Sequence, residues 1–143
     1  MSCFKWACYN FMMKYLSFLF IFLFISCSSD ERKPNFGNKK FLEMARKGDP
    51  DLELVIPASI SETVVHCSDY TPPCRYGLKV IVKKIPMKAL FYENQLDALE
   101  AGKRIRGYVA RNWVLDEVAG EPILERFVTK YLEAKKASEI KKP

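Results

Sequence analysis

From residue 38 onward, the apolar positions of the chain change between the spacing of a strand and that of a helix. Alternation with polar residues, or a short β-branched or aromatic run, predicts five strands: 52–57, 63–67, 77–85, 88–92 and 112–118. Apolar residues spaced three or four apart predict three helices: 38–47, 94–111 and 121–133. This order predicts an α+β domain with a small mixed or antiparallel sheet and two main C-terminal helices packed on one face.

Local residue types support the limits of the helices. Asn94 can cap the N-terminus of the longest predicted helix, and Pro122 fits the first turn of the last one. Gly102 lies inside the longest helix, where glycine costs about 1 kcal/mol relative to alanine. Because the small residues Ala98 and Ala101 lie beside it, we expect the helix to approach the sheet closely at Gly102.

The N-terminal part of the chain has a different pattern, a short apolar run that stops at a cysteine. Residues 16–25 are leucine, phenylalanine and isoleucine apart from Ser17, and Lys14 precedes them. The run has about half of the roughly 20 apolar residues that a membrane-spanning helix needs. A positive flank, a short apolar core and small residues after it predict a secretory signal peptide.

The end of this run, Phe24-Ile25-Ser26-Cys27, resembles the lipobox of bacterial lipoproteins. That motif places an apolar, a variable and a small residue before an obligatory cysteine, and the family usually has leucine where this chain has Phe24. The resemblance implies cleavage before Cys27 by signal peptidase II, with acylation of the Cys27 thiol and of the new amino group. Two or three acyl chains hold a protein on a bilayer far more firmly than one. An ordinary cleaved signal with an incidental Cys27 is the alternative.

The lipoprotein resemblance also implies a location and a domain organisation. In the family's sorting pattern, Ser28 after the acylated cysteine favours the outer membrane and its periplasmic side, with the inner membrane and the cell surface as alternatives. We expect a signal peptide over 1–26, translated from Met12 or Met13. A flexible tether over 27–38, a single domain over 39–134 and a frayed basic tail over 135–143 complete the predicted organisation.

The two remaining cysteines of the exported part, Cys67 and Cys74, enclose a loop that contains Pro72-Pro73. An oxidising compartment favours a structural disulfide between them. His66, which we expect to be a partly buried strand residue, could join both thiols as soft ligands for copper or zinc in a metal- or redox-sensing site. Unpaired thiols are a third alternative. The spacing matches neither a zinc signature nor a Cys-x-x-Cys redox motif.

The mature chain contains no motif that identifies a reaction. We therefore predict a lipid-anchored, non-enzymatic accessory or binding module that needs no cofactor or metal. Its expected partners are the bilayer, through acylated Cys27, and an envelope protein or peptidoglycan. The net charge of +6 is spread as on a solvated surface, without a nucleic-acid motif, so we expect no nucleic-acid partner. Anionic lipid or peptidoglycan could contact the basic end of the 94–111 helix and the tail.

An enzyme acting on an envelope polymer is a further alternative. Asp116, Glu117 and Glu121 lie near Trp113 in the sequence, and a carboxylate pair beside an aromatic ring is typical of sites that act on glycans. Asp116 and Glu117 are neighbours in a predicted strand, however, so we expect their side chains to point to opposite faces.

Overall fold

The structure, a computed structural model, describes residues 33–58 and 64–141, which belong to the unit Lys33–Pro143. The predictions on the signal peptide, its start and Cys27 lie outside the described residues. Three α-helices are present in these ranges: α1 (Asn38–Gly48), α2 (Gln95–Ile105) and α3 (Pro122–Tyr131). None of the helices described is long and apolar enough to cross a membrane.

Six strands of the described part form one sheet in the order β1-β2-β3-β5-β4-β6. They are β1 (Glu53–Val55), β2 (Tyr76–Val82), β3 (Ile85–Phe91), β4 (Tyr108–Ala110), β5 (Trp113–Asp116) and β6 (Lys135–Lys136). Every neighbouring pair is antiparallel. The predicted α+β class with a small antiparallel sheet is therefore confirmed.

The helices lie on both faces of the sheet. The first face carries Val80, Met87 and Trp113 and packs against α1 and α3. The second face carries Val109 and Val114 and packs against α2. The prediction that both C-terminal helices share one face differs from this arrangement. The reason is that every residue of β4 and the first three of β5 are buried, so each face of these central strands needs a covering layer.

The longest predicted helix is too long by about a turn and a half. Helix α2 ends at Ile105, and Arg106 follows in the left-handed region with φ 56°. Tyr108 and Val109, which we assigned to the helix, begin β4 instead. Two successive apolar residues fit either period, so the pattern could not place this boundary. The predicted cap at Asn94 is confirmed, because its side chain accepts a hydrogen bond from the Asp97 N–H.

The sheet hairpin also differs from the prediction at its turn. Lys83 and Lys84 connect β2 and β3 with positive φ values of 49° and 68°, in a two-residue turn that usually carries Asn-Gly. Pro86 lies within β3. Strand β5 pairs with β3 only from Lys88 on, so the missing N–H of Pro86 falls where one side of β3 is unpaired.

Two further strand predictions need correction. Residues 64–66 are not in a strand, and Cys67–Asp69 is a short 3₁₀ turn. The short β-branched run fits a strand, but Val65 is buried as part of a loop that covers the second face of the sheet. The strand predicted over 52–57 is present, but only as Glu53–Val55.

The folded domain extends beyond both ends of the predicted range 39–134. Lys135–Lys136 pairs with β4, and Ala137 is buried against α2, so the chain after 134 is not a frayed tail. Val109 of β4 and Ala137 both lie over Gly102, and a side chain there would collide with Val109, which confirms the close approach of helix to sheet predicted at that glycine. At the other end, Phe36 is buried in the core, so the predicted tether joins the domain before residue 38.

A fully buried asparagine holds the N-terminal segment onto the sheet. The Oδ1 atom of Asn112 accepts a hydrogen bond from the Phe36 N–H at 2.8 Å, and its Nδ2 donates to the Tyr92 carbonyl at 2.9 Å. The Nε1 atom of Trp113 donates to the Phe36 carbonyl at 2.9 Å. Phe41 stacks on the Trp113 indole with ring centroids 4.3 Å apart. The segment that precedes α1 is therefore joined to the β4–β5 hairpin by both its backbone and its side chains.

We expect the substitution Asn112→Ala to lower the free energy of unfolding by about 3 kcal/mol, because it leaves a buried N–H and a buried C=O unpaired. Urea unfolding measures this loss. Asn35→Ala is the matched control, because the Asn35 amide bonds to the Glu93 carbonyl at an exposed position where water can replace it. An equal effect of the two substitutions would contradict the role of Asn112.

Candidate functional site

The loop closed by Cys67 and Cys74 lies over the second face of the sheet. The structure contains the predicted disulfide, with the two Cα atoms 4.9 Å apart. Cys74 is buried in the same core cluster as Val65 and Tyr92. The loop is therefore part of the layer that covers the sheet beside α2.

Contacts on both sides of the disulfide fix this loop. Val65 lies directly over Gly77 of β2, where any side chain would collide with it. Inside the loop, the Pro72 carbonyl accepts a hydrogen bond at 3.1 Å from the hydroxyl of Tyr92, the residue after β3. Three contacts therefore hold the loop and the residues before it: the disulfide, the contact of Val65 with Gly77, and the hydrogen bond from Tyr92.

A polar network joins the loop to the ends of β3 and β5. The Tyr70 hydroxyl donates to Oδ2 of Asp116 at 2.8 Å. The ammonium of Lys88, which lies opposite Asp116 in the sheet, forms an ion pair with Glu117 at 2.7 Å. Glu117 has a φ of 62° and donates its N–H to Oδ1 of Asp116. We call Tyr70, Lys88, Asp116 and Glu117 the loop network.

The electrostatics of the loop network keep its two donors protonated. Burial, together with the hydrogen bond to Asp116, raises the pKa of Tyr70 well above its ordinary value of 10.0. The hydrogen bond to Glu117 raises the pKa of Lys88. Both carboxylates therefore face a donor that stays protonated at neutral pH. This arrangement holds the loop in place and leaves neither Tyr70 nor Lys88 available as a base.

The structure brings together two sets of residues that the sequence presented separately. Asp116 and the loop closed by Cys67 and Cys74 meet through Tyr70. The expectation that Asp116 and Glu117 point to opposite faces is wrong, because the positive φ turns Glu117 toward Lys88. Glu121 does not join this network; it is the residue before α3 and makes no side-chain cap.

His66 is exposed and outside a strand, so its predicted place as a partly buried strand residue is wrong. Its carbonyl accepts a hydrogen bond from the Asp69 N–H in the turn. Cys67 and Cys74 are bonded to each other, so in this state neither sulfur is a thiolate ligand. In the described ranges, no three His, Cys, Asp or Glu side chains are placed to hold a metal ion together.

Two members of the loop network were not predicted from the sequence. Lys88 was assigned only to a further strand, and Tyr70 only to a loop. The available signal was weak: a tyrosine inside a disulfide-closed loop often finds a hydrogen-bond partner when it is buried. Which partner it finds depends on the pairing of β3 with β5, and that pairing is not visible in the spacing of residues.

Comparison with known proteins adds no relative. No protein-family profile matches the chain, and neither a curated protein nor a solved structure is significantly similar to it. The function is therefore argued from the residues of this chain alone.

We expect Cys67→Ala combined with Cys74→Ala to lower the free energy of unfolding by about 2.5 kcal/mol, as loop-closure entropy for a ring of this size predicts. The loop should also become the first site of limited proteolysis. Reduction of the unmodified protein with a dithiol serves as the control and should give the same loss. Unchanged resistance to protease in both samples would contradict the role of the disulfide.

The protein should lose stability as the pH rises from about 10 to about 12. Burial raises the pKa of Tyr92 from 10.0 to about 12, so the unfolded chain releases this proton at a lower pH than the folded protein. Unfolding is therefore favoured between the two pKa values. Tyr92→Phe should make the decline between about pH 10 and about pH 12 shallower in urea unfolding. An equally steep decline in both proteins would contradict this assignment.

Proposed function

We propose that this chain is a lipid-anchored envelope protein and a non-enzymatic binding module that presents the disulfide-closed loop to a partner. The observation that carries the proposal is the hydrogen bond from Tyr70 to Asp116, which ties the loop to the sheet. The acidic residue that looked most suited to catalysis acts there as a structural acceptor. A loop so restrained pays little entropy when it binds a partner.

The residues at the tip of the loop are suited to contact. Ser68, Thr71 and Pro73 are exposed, whereas Cys74 is buried. Polar groups and a proline on a restrained backbone supply hydrogen bonds and apolar area without a large ordering cost. We propose an envelope protein as the partner, with peptidoglycan as the alternative.

The lipobox-like sequence before Cys27 supports the anchoring part of the proposal. Six residues after Cys27, Lys33 already belongs to the domain, and its carbonyl accepts a hydrogen bond from the Gln95 side chain. A chain of six residues spans at most about 20 Å. An acylated Cys27 would therefore hold the domain close to the bilayer, and a partner would have to lie within that layer of the envelope.

Two other functions remain as alternatives. An enzyme acting on an envelope polymer would need Asp116 or Glu117 as an acid or base, but both carboxylates already interact with Tyr70 or Lys88. A metal or redox sensor would need reduced Cys67 and Cys74. Free-thiol counting in the exported protein discriminates this sensor from the proposed module.

We expect Cys27→Ser to abolish acyl labelling and the mass increase of the acyl groups in the mature protein. The oxygen of serine does not replace the thiol in the reaction that the lipobox resemblance implies. Intact mass spectrometry measures the change. Ser28→Ala is the matched control, because it alters the neighbouring residue without removing the thiol. Acyl groups retained in Cys27→Ser would overturn the anchoring part of the proposal.

The binding part of the proposal is tested by crosslinking in intact envelopes. A photo-crosslinker at Thr71 should capture a partner, and Tyr70→Phe should reduce the yield because it releases the loop from Asp116. A crosslinker at Leu96, an exposed residue of α2, is the positional control. Equal capture from both positions, or no dependence on Tyr70, would argue against recognition by the loop.

A further inference from the structure

The exposed side of α1 is almost entirely cationic. Its solvent-exposed positions after Asn38 fall on one side of the helix and are Lys39, Lys40, Glu43, Arg46 and Lys47. The opposite side, with Phe41, Met44 and Ala45, is buried against the first face of the sheet. Four cations thus accompany one acid on a helix whose orientation is set by its apolar side.

Neighbouring elements enlarge this cationic surface. The β2–β3 turn adds Lys83 and Lys84 beside the end of α1, because Oδ2 of Asp49 accepts a hydrogen bond from the Lys83 N–H at 2.6 Å. Helix α3, which packs against α1, adds the exposed Arg126 and Lys130. We call these eight residues the α1–α3 cationic surface: Lys39, Lys40, Arg46, Lys47, Lys83, Lys84, Arg126 and Lys130.

None of these eight cations has an ion pair within 4 Å in the part of the chain that the structure describes. Five of the other described cations are paired with acids, such as Arg75 with Glu93 and Arg111 with Glu133, and six, among them Lys103, have no ion pair but lie outside this surface. Glu43, Asp51, Glu53 and Glu133 are exposed acids near this surface in the sequence, and Glu133 is already paired with Lys33 and Arg111. The surface therefore keeps its positive charge available for an external anion.

The chain enters the domain through a segment that leads directly into α1. Phe36 is fixed on the sheet by Asn112 and Trp113, and α1 begins two residues later. The residues from Cys27 to Lys33 reach at most about 20 Å. A lipid at Cys27 would thus keep the domain, α1 included, within reach of the bilayer.

We infer that the α1–α3 cationic surface lies against anionic phospholipid headgroups of the membrane that holds the acyl anchor. This inference rests on the lipid anchoring proposed above. Lysine and arginine near an anionic leaflet are attracted to it within a Debye length. The anchor supplies the proximity, and the cationic surface selects which side of the domain faces the headgroups.

This orientation has a consequence for the disulfide-closed loop. The loop and α2 lie on the second face of the sheet, whereas α1 and α3 lie on the first. With α1 and α3 against the membrane, the loop points away from it. The same orientation leaves Thr71 and Pro73 accessible to a partner in the aqueous layer.

Lysine footprinting on reconstituted protein tests the inference. The protein, purified from envelope membranes, is floated with phosphatidylcholine vesicles with or without phosphatidylglycerol and treated with a water-soluble acylating reagent. The attraction of one lysine to an anionic leaflet favours its bound state by a factor of about five. Lys39, Lys40 and Lys47 should therefore react about fivefold more slowly on vesicles with phosphatidylglycerol. Lys103 and Lys135, on other surfaces, should react at equal rates on both, and high salt should abolish the difference.

Matched charge reversals sharpen the test. Lys83 and Lys84 belong to the same surface and should be protected as well. A variant that combines Lys39→Glu, Lys40→Glu and Lys47→Glu should lose that protection. The control combines Lys103→Glu, Lys135→Glu and Lys141→Glu, which changes the net charge equally at exposed positions and should leave that protection intact. Circular dichroism confirms that both variants are folded.

The outcomes separate this inference from the anchoring proposal. Flotation on both vesicles with protection only on phosphatidylglycerol supports both. Flotation without selective protection of the α1 lysines, or protection of Lys103 and Lys135 instead, overturns the inference and leaves the anchor standing. No flotation on either vesicle overturns both.

Discussion

The docking of Phe36 onto the β4–β5 hairpin is the contact on which the rest of the domain depends. The fully buried side chain of Asn112 accepts a hydrogen bond from the Phe36 N–H and donates one to the Tyr92 carbonyl. The indole of Trp113, the next residue, donates a hydrogen bond to the Phe36 carbonyl. Arg111 in the same turn lies 5.1 Å over the Phe36 ring. Residues 33–37 are not in a strand, so these side chains, rather than a sheet ladder, hold the segment that leads into α1. The loss of the Asn112 or Trp113 side chain leaves buried polar groups without partners.

The two faces of the sheet differ in the elements that cover them and in the charges of those elements. The first face is covered by α1 and α3, whose outer surface collects cations that have no ion pair in the described residues. The second face is covered by α2 and the disulfide-closed loop, where charges are paired through Lys88 and Glu117. The cationic side is the basis of the proposal for the membrane, and the restrained loop is the basis of the proposal for a partner.

The polar residues of the loop network act on one another as hydrogen-bond and ion-pair partners. Asp116 and Glu117 resembled a carboxylate pair in the sequence, yet each interacts with a donor that stays protonated at neutral pH. Groups that accept such hydrogen bonds stabilise the loop they contact. The loop network therefore connects the disulfide to the centre of the sheet, and the loop owes its restraint to residues from three distant parts of the chain.

The sequence by itself determined the α+β class, the cap at Asn94, the disulfide candidates and the close approach at Gly102, because caps, cysteine pairs and small residues act locally. It did not determine the end of α2, since Tyr108 and Val109 suit both a helix and a strand. Only the tertiary structure decided that Lys135–Lys136 forms a strand, that Phe36 belongs to the core and that Tyr70 meets Asp116. Each of these depends on contacts between residues at least 26 positions apart, as between Val109 and Lys135. Such contacts leave no periodic signal in the chain.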